Sequence, residues 1–145
     1  MRFTNAAVVV LLTMGLAATA VAQASNKISV NVVGLRDDDG VVRCGLYNSV
    51  STFRQPGAQY KGVIAKISGG QANCVFSNIP AGNYAVALFH AEHNEPEIVT
   101  GAFGKPQEGY GVSNNPSTTF GAPSFSDAAF DYAGGSKSLT VRVNY

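Results

Sequence analysis

Lys27-Ile28-Ser29-Val30-Asn31-Val32 and Val41-Val42-Arg43-Cys44-Gly45-Leu46-Tyr47 alternate side-chain character with a period of two. That is the period of a β-strand, which sends successive residues to opposite faces of a sheet. Ile28, Val30 and Val32 fall on one face of the first run, and Val42, Cys44 and Leu46 on one face of the second. Between them stands Asp37-Asp38-Asp39-Gly40. Asp-Gly between two alternating runs is a hairpin signal, so the reading is two antiparallel strands, near 27–34 and 41–48, paired across this turn.

The same period continues along the chain. Ser49 to Tyr60 has no regular pattern and holds Pro56-Gly57, which predicts a loop with room for one helical turn. Val63, Ala65 and Ile67 mark a third strand near 61–67, broken by Gly69-Gly70. Ala72, Cys74 and Phe76 mark a fourth near 71–77, ended by the turn Pro80-Ala81-Gly82. Tyr84-Ala85-Val86-Ala87-Leu88-Phe89-His90 is apolar on both faces, as a central strand would be. Ser138 to Tyr145 alternates again, with Leu139, Val141 and Val143 inward. No helix of ordinary length is legible after residue 22. Short strands divided by turns predict an all-β antiparallel sandwich. Gly82-Asn83-Tyr84 fits either a tyrosine corner, in which the hydroxyl ties the strand start to nearby backbone, or a plain turn before a core Tyr.

Residues 91–135 form one long connection, far beyond the loop lengths of ordinary sandwiches. It is rich in Gly, Pro, Asn and Ser, yet carries Phe103, Tyr110, Phe120, Phe125, Phe130 and Tyr132. So many aromatics predict a partly ordered loop packed back on the body, with Ala128 to Tyr132 as an extra edge strand.

The first residues set the compartment. Met1-Arg2-Phe3 is followed by the apolar run Ala6 to Leu16 and by small residues ending in Ala20-Val21-Ala22. Charged start, apolar middle and small-x-small end are the order of a signal peptide, and the apolar run is shorter than the roughly 20 residues of a membrane span. Residues 1–22 are therefore read as a leader cleaved after Ala22, with Ala24 the second choice, and 23–145 as a single domain, periplasmic or secreted. No later segment is long and apolar enough to span a membrane. The chain has ten basic and nine acidic side chains, and loss of Arg2 leaves them balanced. Such neutrality argues against nucleic acid as a partner, which calls for a basic patch. Cys44 and Cys74 are the two cysteines. In an oxidising compartment they read as a disulfide closing a loop of about 30 residues. No Cys-x-x-Cys spacing supports a metal or redox pair.

Phe76-Ser77-Asn78-Ile79-Pro80-Ala81-Gly82-Asn83-Tyr84-Ala85-Val86, then His90, Gly104-Lys105-Pro106-Gln107-Glu108-Gly109-Tyr110-Gly111-Val112-Ser113-Asn114-Asn115 and Pro123-Ser124-Phe125-Ser126-Asp127-Ala128 carry a resemblance. Across the whole mature domain the chain resembles an uncharacterised family of exported bacterial proteins, the domain of unknown function 2141 family. The resemblance implies an immunoglobulin-like or transthyretin-like sandwich and an envelope or secreted location. It implies no activity. Such proteins commonly carry a calcium-like Asp-x-Asn-x-Asn-Gly stretch after the His. Here Ala91 replaces the first Asp and the Asn/Gly core is missing, so that pattern is not met.

His90-Ala91-Glu92-His93-Asn94-Glu95 is the densest set of ligand-type side chains. On a continuing strand His90 and His93 point to opposite faces, and His-Glu-x-x-His is absent, so it reads as a solvated loop and no metal site is assigned. Asp37 to Asp39 read likewise as a solvated turn, too few oxygens for calcium. No Gly-x-Ser-x-Gly elbow appears, and no catalytic residue or cofactor is implied. Glu108-Gly109-Tyr110-Gly111 with Asn114 and Asn115 brings a carboxylate, an aromatic face, amides and open backbone, groups that suit a glycan or peptide ligand. The candidate ligand-binding set is His90, Glu92, Glu108, Tyr110 and Asn114, with His90 at the mouth of a shallow site. Two functional readings follow. One is a non-catalytic envelope accessory or ligand-binding domain; the other is a small hydrolase or metal-dependent enzyme using His90 and Glu108.

Export has a direct check. Mass spectrometry of the protein from its host should find the N-terminus at Gln23 or Ser25. Intact Met1 on a soluble cytoplasmic species would refute the leader.

Overall fold

Every alternating stretch becomes a strand in the computed structural model, which describes residues 25–145. The leader read at 1–22 lies outside the described residues. The strands are β1 (Lys27–Val33), β2 (Val41–Tyr47), β3 (Lys61–Lys66), β4 (Ala72–Ser77), β5 (Gly82–Ala91), β6 (Tyr110–Val112), β7 (Phe130–Tyr132) and β8 (Ser136–Arg142). One helical turn, α1 (Phe125–Ala128), precedes β7. The strands form two sheets: β4-β1-β8, and β3-β2-β5-β6 with β7 also pairing β5. Their apolar faces meet in a core containing Ile28, Val30 and Val32 of β1, Val42 and Leu46 of β2, Phe76 of β4, Val86 and Leu88 of β5, and Val141 of β8.

The expected β1–β2 hairpin does not form. β1 pairs β4 antiparallel on one edge and β8 parallel on the other, from Lys27↔Ser136 to Val33↔Arg142. With both edges engaged β1 has no ladder left for β2, which pairs β3 and β5 in the opposite sheet. The Asp-Gly segment therefore crosses between sheets. Asp38 is not a free turn carboxylate: it accepts the Gly69 and Gly70 N–H groups at 2.9 and 2.7 Å and so holds the β3–β4 turn. These hydrogen bonds, from Gly70 first, pull its pKa below the usual range. The expected all-β sandwich is thus present and its sheets are antiparallel-rich, with one parallel pair, β1 and β8.

The 91–135 connection is more ordered than a loop. It carries β6, α1 and β7, and β7 adds to the start of β5 through Gly82↔Tyr132 and Tyr84↔Phe130. Ser113 pins it to the body: its hydroxyl accepts the Val86 N–H at 2.9 Å and donates to the Ala128 carbonyl at 2.5 Å. Asn115 extends its side-chain amide along the outer edge of β8, donating to the Thr140 carbonyl and accepting the Arg142 N–H at 2.9 and 2.8 Å. An open strand edge is thus covered by a side chain. At the start of β5 the Tyr84 hydroxyl donates to the Pro80 carbonyl at 2.8 Å, the tie of a tyrosine corner.

Cys44 of β2 and Cys74 of β4 form a disulfide with Cα atoms 6.5 Å apart. Because those strands belong to different sheets, the bond staples the two layers through the core. Replacing both cysteines with Ala should lower unfolding stability by about 3 kcal/mol. The readout is a reduced urea midpoint with an unchanged far-UV spectrum, because the remaining core is large enough to hold the fold. An unaltered midpoint would contradict this.

Candidate functional site

His90 points into the core from β5, opposite Val42, and is fully buried. Its Nε2 lies 2.7 Å from the Asp39 carbonyl, which can only accept, so Nε2 carries the hydrogen. Nδ1 lies 2.7 Å from the Tyr145 hydroxyl, which donates to it when the ring is neutral. That hydroxyl in turn accepts the Arg36 N–H at 3.1 Å. The Arg36 guanidinium closes the circuit: it lies 4.7 Å from the centre of the Tyr145 ring, and Glu92 takes one of its terminal nitrogens between two oxygens at 2.6 and 2.5 Å. Both histidine nitrogens are engaged, and no face of the ring reaches solvent. The crossing segment 34–40 supplies two of the partners, Arg36 and Asp39, which is why the hairpin reading hid them.

Glu108 is buried, 7% exposed, and accepts the Val99 N–H at 3.2 Å. Burial pushes its carboxyl up, and the neighbouring Glu95 and Glu92 carboxylates push the same way. Burial would raise Glu95 too, but it is outweighed by the N–H groups of Glu95 itself and of His93 and by hydrogen bonds from the Glu108 and His93 side chains, which bring it down to about 2. Of the two carboxyls, Glu108 is therefore the one that holds a proton more readily. Glu95 also takes the His93 ring nitrogen at 3.0 Å, and the Gln107 N–H donates to the Val99 carbonyl at 2.9 Å. The pair thus fastens the segment 93–99 to the segment entering β6.

Of the candidate set, the fold brings His90 and Glu92 together, with Nδ1 and Oε1 3.7 Å apart, and Glu108 near them through Glu95. Tyr110 stands elsewhere: it pairs with Phe89, so its side chain shares the outer face of the sheet, while His90 faces inward. Its backbone exchanges hydrogen bonds with Asn144 at 2.9 and 2.8 Å. The flanking Gly109 and Gly111 are bare for the same reason, since a Cβ there would strike the Tyr145 ring and the Arg142 carbonyl. Asn114, with φ of 66°, donates its amide to the Asp127 and Ala129 carbonyls and anchors α1. Among the described residues, no set of three His, Cys, Asp or Glu side chains is grouped to hold a metal ion, and no helix is long and apolar enough to cross a membrane.

An open groove of about 390 Å³ lies on the outer face of the larger sheet. Its floor is a row of small residues at matched register, Gly62 of β3, Gly45 of β2 and Ala87 of β5, running across the strands. Beside it runs a second row at matched register, Ile64, Arg43 and Phe89. The turn Arg54 to Gln59 walls one side and Pro96 to Ile98 the other. Gly45 leaves the space in which the Tyr47 ring lies, since a Cβ there would come within 2.8 Å of it. Phe53 meets that ring edge-on at 5.5 Å and Phe125 meets Phe53 at 5.7 Å, an aromatic stack that holds the groove end rigid. Arg43 donates to the Asn94 carbonyl at 3.3 Å, while its Nε is buried with no hydrogen-bond partner. The residues pinned by Glu95 and Glu108, His93 and Val99, flank the second wall on either side.

None of these groove residues was in the candidate set. Arg43, Tyr47 and Phe89 occupy the outward positions of strands whose inward positions drew attention, and Arg54 sits in an irregular loop. The available signal was Gly45, because a glycine inside a strand marks close approach of another group.

A family model described as "Uncharacterized protein conserved in bacteria (DUF2141)" matches residues 30–140. No curated protein and no solved structure matches the chain.

The carboxyl pair gives a pH signature. Glu95 is depressed, so its stabilisation is present above about pH 4.5 and lost as pH falls toward about 2. Glu108 is raised, so its contribution is present below the ordinary carboxylate range and lost as pH rises through its folded value. Glu108→Gln mimics the protonated acid. It should match or exceed the parent melting temperature at about pH 8 and abolish the alkaline-side decline. Glu95→Gln should be destabilised near neutrality, with the deficit vanishing at the acid end. Melting curves across this range check both, and a Glu108→Gln profile identical to the parent's would refute the assignment.

Proposed function

The chain belongs to this bacterial DUF2141 family, and we propose that it is an exported, non-catalytic ligand-binding domain of the cell envelope that takes its ligand in the outer-face groove. The observation that carries the reading is the groove itself. Its volume falls in the range of small-ligand sites, and it combines apolar and aromatic floor residues with a few fixed polar groups, the usual anatomy of such sites. Export is supported by the leader-like start and by a buried disulfide, a bond that persists in oxidising compartments. A glycan or a peptide remains the ligand class suited to these groups.

The competing hydrolase or metal-enzyme reading requires His90 and Glu108 to face a substrate. Both nitrogens of His90 are engaged within the fold, and Glu108 is turned to Val99 and Glu95. These residues fit a positioning role: they hold the wall of the groove rather than touch what enters it.

The test is a binding screen with the mature protein against glycan and peptide panels, followed by Phe89→Ala and Arg43→Ala. Each change should weaken binding by about tenfold or more, the scale of losing one well-packed or charge-assisted contact. Phe89 is only partly buried, so its variant should melt close to the parent. Undiminished binding by both variants would place the ligand elsewhere and sink the proposal.

A further inference from the structure

Resting on the groove reading, we infer that the ligand is an acidic sugar: a saccharide unit whose carboxylate meets Arg43 and whose ring lies on the floor beside Phe89.

Arg43 and Arg54 both line the groove, and Arg43 spends a terminal N–H on the Asn94 carbonyl at 3.3 Å. A guanidinium retains its charge at any working pH and offers paired donors in a plane, a geometry matched by a carboxylate. Arg54 stands on the wall at the Tyr47 end, its guanidinium 5.6 Å from the Phe53 ring and close enough to Tyr47 to oppose the upward push of burial on that phenol. Glu97 lines the groove as well. Two guanidinium groups against one carboxylate leave the groove with an excess of positive charge, which favours an acid, and the carboxylate offers an acceptor for hydroxyl groups.

The groove suits a sugar better than a peptide. A peptide bound by strand addition needs a free edge of backbone N–H and C=O groups. Here the floor is β2 with β3 and β5 on either side, so the floor's ladder groups are already bonded to one another. Recognition must come from side chains. The Tyr47 ring lies over Gly45, and Ile64 and Phe89 in the neighbouring row add apolar surface to it. A pyranose ring presents apolar C–H faces to such a surface and polar groups around its rim, where Gln59, Arg43 and Glu97 are placed.

The experiment is calorimetric titration of the mature protein with trigalacturonate, its methyl ester and triglutamate, with binding located by amide chemical-shift changes. Trigalacturonate should shift the amides of Gly45 and Phe89 and bind about tenfold or more tighter than the ester, the scale of one charge-assisted contact. Arg43→Gln should remove the preference for acid over ester while leaving ester binding in place. Arg54→Gln, at an exposed position, should reduce the preference with no folding risk. Equal binding of acid and ester in the groove, or tighter binding of triglutamate, would overturn the acidic-sugar inference and leave the groove reading standing. Shifts confined to other surfaces, or none with any of the three, would overturn both.

Discussion

The structure depends on β1 having both edges occupied. β4 takes one edge antiparallel and β8 the other in parallel, so the chain leaving β1 has no place beside it and must cross to the opposite sheet. Everything at that end of the sandwich follows from the crossing. It brings Asp39 to His90, Arg36 to Glu92 and Tyr145, and Asp38 to the β3–β4 turn. The disulfide then joins β2 and β4, strands that the crossing has placed in different layers.

The larger sheet uses its two faces for different purposes. The inner face and the sandwich end hold the polar side chains that look most like chemistry, yet these are engaged with one another and with backbone. A buried polar network with its partners in place rigidifies its surroundings. Here what it rigidifies is the stretch from Ala91 to Val99, whose outer part is one wall of the groove. The outer face has fewer polar groups, but two of them, Arg43 and Arg54, line the groove.

The strands were legible because burial on one face imposes a period of two, and that period survives in residues such as Ile28, Val30 and Val32. The Cys44–Cys74 pairing was legible because two cysteines in an oxidising compartment have only each other to pair with, whereas Gly82-Asn83-Tyr84 left a tyrosine corner and a plain turn equally open. Strand partnership was not legible. Asp39-Gly40 is a local signal for a hairpin, and it was overridden by the non-local pairing of β1 with β8, whose sequence carries no mark of its partner. Of the candidate set, His90, Glu92 and Glu108 lie near one another in the fold, while Tyr110 and Asn114 resemble ligand groups in sequence but serve the joint with the C-terminal strand and α1. The groove was illegible because Arg43, Tyr47, Phe89 and Arg54 come from three segments and meet only through sheet register.

The parallel β1–β8 ladder also has a consequence in time. Its partners are separated by more than a hundred positions, as in Lys27↔Ser136. Any process that delivers the chain N-terminus first leaves one edge of β1 open until residues 136–142 arrive. Such distant pairing makes folding slow, because the entropy of closing the long loop must be overcome before the contacts form. In that interval the open edge can template association with another chain, the hazard of unpaired strands. The β1–β4 pairing forms over a shorter span and covers the other edge early. The last strand to be delivered thus seals the sheet whose central strand was the first.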